Sequence, residues 1–264
     1  MTAGLPDKIA KPVHEKLIGR NTQREKIIAE LYYQYLKTLV KIKAWKLNRK
    51  HEAPIKPLEL IYVDPSEIRK AEKNPVKNNF YPYVKDGDWD ENLEGITQAS
   101  NKFGSLKQRF EEGRDWKETD FFKRRNREVE KGKTQYAKNT DESFNKKLEK
   151  LDQLYESINE EGYKKQTELQ NPGMGVNNKI NHHLKEFNEV TIHLGKNGEL
   201  IFGSGSHRIE ISIILGLEEI PVRVSCRHKK WQEKRNIAIK NPEKLSEEDR
   251  NHPDIKQLKN SSSS

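Results

Sequence analysis

Apolar residues recur along this chain at two different periods, and the switches between them mark its elements. In residues 21–48 the positions Ile27, Ile28, Leu31, Tyr32, Tyr35, Leu36, Leu39, Val40, Ile42 and Trp45 follow three- and four-residue steps, which predicts a long amphipathic helix capped by Asn21 or Thr22. Pro54 and Pro57 end that region. Residues 58–63, LELIYV, read as a buried strand, and Asp64-Pro65-Ser66 starts a short helical turn. Residues 74–99 carry Pro75, Pro82, Gly87 and Gly95 and read as loop. Helical spacing returns at 105–113, at 116–132 with Thr119 among its capping signals, and at 141–162. The last of these sets Phe144, Leu148, Leu151, Leu154, Tyr155 and Ile158 on one stripe, with Gly162 as its C′ residue.

Residues 171–178, NPGMGVNN, form a connector. Two short strands follow, 190–194 and 199–202, separated by the hairpin signal GKNG. They deliver the chain into a glycine-rich turn, an amphipathic helix and a β-branched strand ending at Val224. Residues 227–239 read as a further helix bearing Trp231, before a weakly packed end and the serine tail Ser261 to Ser264.

Composition limits the size of the core. Of 264 residues, 32% are hydrophobic and 34% charged, and the mean hydropathy is −1.05, which predicts a modest core beneath long solvated helices. Fifty Lys and Arg against 41 Asp and Glu leave a net charge of +9, which favours a polyanionic partner such as nucleic acid or nucleotide. The excess is spread out, and two clusters concentrate it. Lys37, Lys41, Lys43, Lys46, Arg49 and Lys50 form one, and Lys123, Arg124, Arg125 and Arg127 the other; each is either a solvated helix face or a polyanion contact. The single cysteine, Cys226, excludes an internal disulfide framework and a four-cysteine zinc site. With no apolar run of about 18 residues and no signal-peptide pattern, the expectation is a cytoplasmic protein with no membrane partner.

The chemistry concentrates at residues 200–224, LIFGSGSHRIEISIILGLEEIPVRV. Gly203 and Gly205 free the backbone to take positive φ and to approach a ligand closely, and the helix that follows points its first N–H groups back at the turn. Gly203, Ser204, Gly205, Ser206, His207 and Arg208 are therefore the candidate phosphate-binding residues. Arg208 supplies a planar fork for phosphate oxygens, and His207 a donor or general acid/base; Glu210 is a structural partner or a further acid/base group. As an exposed pocket residue, Arg208 should be removable at little cost in stability. Arg227 and His228 form either a second basic wall of this pocket or the N-terminus of the next helix. Asp88 and Asp90, flanking Trp89, either hold a cation or form an Asx-type turn around a packed indole; with Glu210 they are the acidic candidates for Mg2+ or Mn2+. His182 and His183 are adjacent and read as loop residues rather than metal ligands.

Three segments, in order, resemble the ParB N-terminal domain and sulfiredoxin-like superfamily. Residues 151–162, LDQLYESINEEG, are similar to the family's L-x-x-L-x-x-S-I-x-x-x-G helix. Residues 203–217 resemble its G-x-x-R phosphate turn and helix, with Ile220-Pro221-Val222 as the next strand. Residues 58–68, LELIYVDPSEI, are similar to its opening strand and turn. The resemblance implies an α+β fold: a ParB/sulfiredoxin-like core of a small mixed sheet with packed helices at 58–226. A helical insertion at about 74–136, an N-terminal helical segment at 1–57 and a C-terminal helix and tail at 227–264 complete the chain.

That superfamily spans CTP-dependent DNA-partition clamps, nucleases, a free-serine kinase and sulfiredoxin, so the fold does not choose a reaction. Ser206 stands where sulfiredoxin resembles G-C-H-R with a catalytic cysteine, which argues against sulfur exchange. The residues after Val224 are too few for a helix-turn-helix plus a dimerisation domain, which argues against sequence-specific partition. The expected function is binding of a nucleotide, CTP or ATP, or of nucleic-acid phosphate at the GSGSHR turn. Phosphoryl transfer or phosphodiester hydrolysis (kinase, nuclease or other nucleotide-dependent hydrolase) remains open there. The alternative is a noncatalytic DNA- or RNA-binding module that uses the basic helices. Oligomeric state is open.

Overall fold

The computed structural model describes residues 23–72, 81–96, 103–132, 141–169 and 185–260. Two strands organise it. β5 (Val190–Leu194) and β7 (Ile220–His228) are buried along their whole length and pair in parallel, Val190 beside Val222 and Leu194 beside Arg227. Neighbours extend them into one mixed seven-stranded sheet. β1 (Leu60–Val63) lies antiparallel to the first half of β7, and β3 (Tyr83–Lys85) parallel to its last three residues. On the other side β5 is followed by β6 (Leu200–Ser204), β2 (Lys70–Glu72) and the edge strand β4 (Leu93–Gly95). β6 is antiparallel to β5, so the end of β6 lies beside the start of β5 and the first half of β7.

Alternation along β5 and β7 divides their side chains between two faces. Val190, Ile192 and Leu194 with Ile220, Val222 and Val224 enter the main apolar cluster, which also holds Ile209, Trp231 and Ile255 from helices and Leu245 from a connecting segment. The other set is polar: Thr191, His193, Arg223 and Ser225 are all buried. Ser225 Oγ lies 2.9 Å from His193 Nδ1, Arg223 donates to Thr191 Oγ1 at 3.4 Å, and Trp89 meets the His193 ring edge-on. Burial, with the charges of Lys85 and Arg223, pushes His193 down to about 4, so it is a neutral hydrogen-bonding group. The long helix α1 (Gln23–Asn48) covers this side, packing Leu36 and Val40 with Tyr81 and Phe187.

The helices match the sequence pattern closely in place. α2 (Phe103–Phe110), α3 (Asp120–Glu130) and α4 (Asp141–Glu161) share a second apolar cluster with Ile211 of α5 (Ser206–Ile214). Thr119 caps α3, Asp64 caps the 3-10 turn Pro65–Glu67, and Gly162 takes positive φ after α4, as their residue types predict. Residues 116–132 are not one helix, however: Trp116–Glu118 is a separate 3-10 turn before α3. Asn21, Thr22, His182, His183 and the connector at 171–178 lie outside the described residues.

Two expectations are corrected. The segment 74–99, read as loop, contains β3 and β4, both strands of three residues, too short for alternation to register. The end of the chain is not weakly packed. α6 (Lys229–Lys240), α7 (Glu247–Asn251) and α8 (Pro253–Asn260) close on the sheet around Asp254, whose side chain is 1% exposed. Asp254 receives both forks of Arg227, at 2.6 and 3.0 Å, and the Trp231 indole N–H at 3.0 Å, with Arg235 at 3.1 Å. The two guanidiniums outweigh its burial and hold the carboxyl well below the usual carboxylate range. Asp254→Ala should therefore cost about 3–5 kcal/mol, because it strands two buried cations. Urea denaturation checks this, and a loss below about 1 kcal/mol would show that the network is dispensable.

Candidate functional site

β6 ends at Ser204, Gly205 bridges, and α5 begins at Ser206, so the predicted strand, glycine turn and helix all form. Gly205 is the N-cap residue with φ 95° and ψ 30°, a left-handed conformation that a side chain resists. A glycine in that position offers no side-chain acceptor to the amides of the helix's first turn. Residues 203–208 are all partly exposed.

The two glycines, however, make room for protein. A Cβ on Gly203 would stand 2.8 Å from the Thr191 carbonyl and 3.2 Å from His193 Nε2; one on Gly205 would stand 2.9 Å from Val190 Cγ2. Their bare faces lie against β5, where the β5–β6 register shifts between Thr191 and Ile192. The close approach expected for a ligand is on this side taken by a neighbouring strand. What remains open to a ligand is the opposite, outward side of the turn.

Arg208 is held from within. Its guanidinium donates to the Asn188 carbonyl and to the Tyr163 hydroxyl at 3.4 Å, and lies 3.7 Å from the Glu189 carboxylate, whose side chain is 1% exposed against 17% for Arg208. Burial raises Glu189 above the ordinary carboxylate range and raises the Tyr163 phenol as well. Arg208 is thus not a freely removable pocket residue, which corrects that expectation: deleting it leaves Glu189 buried without its nearest cation. Sequence reasoning missed both Glu189 and Tyr163, and nothing in their spacing marks them.

Register also shows which basic residues stand near the turn. Thr191, opposite Ser204, pairs on its other side with Arg223, so Arg223 is at the turn end of β7. Arg227 and His228 are four and five residues further along β7, about 13–17 Å away at the strand rise. The helix expected from residue 227 begins at Lys229, with His228 as its N-cap residue. Arg227 is consumed by Asp254, and His228 Nε2 hydrogen-bonds the Gly87 carbonyl at 2.8 Å. Neither forms a second wall.

The remaining candidates disperse. Asp90 is buried and accepts the Lys196 backbone N–H at 2.6 Å, Trp89 stacks on His228, and Asp88 is exposed. Of the two readings the packed indole holds, in a turn closed by the Glu91 N–H on the Asp88 carbonyl, while the Asp90 carboxylate is spent on Lys196 rather than on an Asx turn. Glu210 points instead into α2, its carboxyl facing the backbone of Leu106 and Lys107. Among the described residues no group of three His, Cys, Asp or Glu side chains is arranged to hold a metal ion. Of the second basic cluster, Arg125 is buried and paired with Asp141 at 2.7 Å.

No protein-family model, no curated protein and no solved structure matches this chain.

Burial pushes Glu210 up to about 9, so it stays protonated at neutral pH and cannot serve as a general base there. The unfolded chain ionises this carboxyl from its ordinary value of 4.5, whereas the folded one keeps its proton to about 9. Its contribution to stability is complete below 4.5 and is lost as pH rises toward 9, by at most about 1.4 kcal/mol per pH unit. Glu210→Gln should match the wild type in thermal unfolding near pH 4.5 and exceed it increasingly through pH 6, 7 and 8. Parallel pH dependences would show that Glu210 is ionised in the folded protein.

Proposed function

We propose that the outward side of the Gly205 turn binds a phosphate group of a nucleotide, CTP or ATP, or of a nucleic acid, in a core of ParB/sulfiredoxin-like type. The observation that carries this reading is a partly exposed helix N-terminus capped by a left-handed glycine at the end of the inner strand β6. Backbone amides there meet an anion without competition from a capping side chain, and the helix dipole favours negative charge. Arg208 is a positioning residue: through Asn188 and Glu189 it ties α5 to the start of β5 while adding positive potential. Ser206 and His207, in the first turn of α5 and both partly exposed, are the side chains assigned to a bound phosphate in this reading. Nucleotide-dependent chemistry, with His207 as acid/base and Mg2+ or Mn2+ brought by the nucleotide rather than held by Asp88, Asp90 and Glu210, is the enzymatic form of the same proposal.

The second reading, a noncatalytic nucleic-acid module, is favoured by one observation: Lys41, Lys43, Lys46, Arg49 and Lys50 of the α1 region are all exposed. It predicts binding that weakens steeply with salt and ignores nucleoside identity.

Ser206→Asp separates these readings. A carboxylate in the first turn of α5 suits the helix dipole, so the fold should be as stable as the wild type or more so, while phosphate is repelled. Calorimetry with CTP, ATP and a short duplex at two salt concentrations should show at least a tenfold loss of nucleotide affinity in the variant. If the wild type binds none of these ligands, or the variant binds them equally, the turn is not the site. Duplex binding that is unchanged in the variant and falls with salt would move the function to α1.

A further inference from the structure

α1 is apolar on two opposite faces. One face, with Leu36, Val40 and Ala44, is buried against the body of the protein. The other carries Ile27, Leu31, Tyr35, Ile42 and Trp45, all exposed, with Leu31 65% and Trp45 57% accessible. The Arg49 guanidinium lies over the Trp45 ring, 5.2 Å from its centroid, at the end of this row.

The spacing of the exposed row identifies what fits it. From Leu31 the steps through Tyr35, Thr38, Ile42, Trp45 and Arg49 are four, three, four, three and four residues, the a/d alternation of a heptad repeat. At 100° per residue Ile27, Leu31, Tyr35, Ile42 and Trp45 fall within about 80° of the helix circumference. That is a narrow seam matched to another helix, narrower than the apolar face of a core-facing helix and unlike the broad face of a helix lying in a membrane interface.

Charge selects the partner's direction. Between Lys37 and Lys50 this segment has six cations and no acid, whereas Arg24, Glu25, Lys26 and Glu30 of the first part cancel. A parallel pair would superimpose the two basic halves, while an antiparallel pair sets each against the other's neutral half. We propose that the exposed seam of α1 pairs antiparallel with α1 of a second copy of this chain, Leu31 opposite Ile42 and Tyr35 opposite Thr38, forming a two-fold symmetric dimer. The two-fold interface is self-complementary because a positions meet d positions, and Thr38, the small residue of the row, receives the larger Tyr35. The proposal does not depend on the phosphate-binding turn.

Equilibrium sedimentation of the full chain across about 1–100 µM should show a concentration-dependent rise toward twice the 30.9 kDa chain mass. Leu31→Glu/Ile42→Glu should remain at the single-chain mass, with its circular dichroism unchanged because both positions face solvent in the isolated chain. Trp45→Lys alone should weaken association at least tenfold. Nitroxides on Lys46→Cys should lie about 30 Å apart in the antiparallel dimer and about 10 Å apart in a parallel one; the native Cys226 is buried. A wild type that stays at the single-chain mass at 100 µM overturns the proposal. So does a dimer that survives the double substitution, or a single-chain wild type whose row instead binds anionic vesicles or duplex.

Discussion

A sheet whose two central strands are buried on both faces must satisfy every polar side chain it carries from within, and that constraint decides which residues are left to act on anything else. β5 and β7 carry Thr191, His193, Arg223, Ser225, Arg227 and His228 into the interior. Desolvation makes each of them expensive unless paired. The pairing is local and geometric: Ser225 with His193, Arg223 with Thr191, Arg227 with Asp254, and His228 with the Gly87 carbonyl. Residues that look reactive in the sequence are in this way converted into fasteners, joining β7 to β5 or to the elements beside them.

The two ends of the sheet diverge for the same reason. At the far end of β7 the Asp254 network closes the surface with charge against charge, and Asp90 closes it by accepting the Lys196 backbone N–H. At the near end the last residue of β6 gives way to a glycine, and a glycine cannot close a helix N-terminus with its own side chain. Glu189 lies just behind that opening, with Arg208 beside it and its ionisation made costly by burial. The helix dipole leans positive at the same place, with the Arg208–Glu189 pair held beneath it. The turn owes its access to the missing side-chain cap and its close fit against β5 to the two glycines.

Where the sequence speaks through period and capping chemistry, it is legible. α1, α4, the β5–β6 hairpin, the Thr119 cap and the Asp64 turn all follow from spacing and residue type, because their signals are local. β3 and β4 were hidden because three residues are fewer than one reliable alternation. The C-terminal closure was hidden because it depends on one carboxylate meeting Arg227 and Arg235 across 27 and 19 residues of chain, a pairing no local pattern announces. The candidate site divides in the same way. The glycine turn and helix start were readable, but that Gly203 serves a close approach of β5, and that Arg208 answers Glu189, are facts of register. Arg227 and His228 follow Val224 closely in sequence yet lie at the wrong end of the sheet, since a fully extended strand carries its residues away from the turn at about 3.3 Å each.

α1 shows the converse case, a pattern with more information than one fold can use. A helix that only covered the sheet would need one apolar face, and Leu36, Val40 and Ala44 supply it. The second row, at heptad spacing on the opposite side, has no role in closing the core, and leaving Leu31 and Trp45 in water exposes apolar area that a monomer gains nothing by keeping. The lysines beside it keep that face soluble and, being concentrated in one half of the helix, also give it a direction. A seam that is narrow, periodic and electrically lopsided specifies the form and orientation of what covers it before it specifies the strength, and those three properties come together on this face of α1, the longest helix among the described residues.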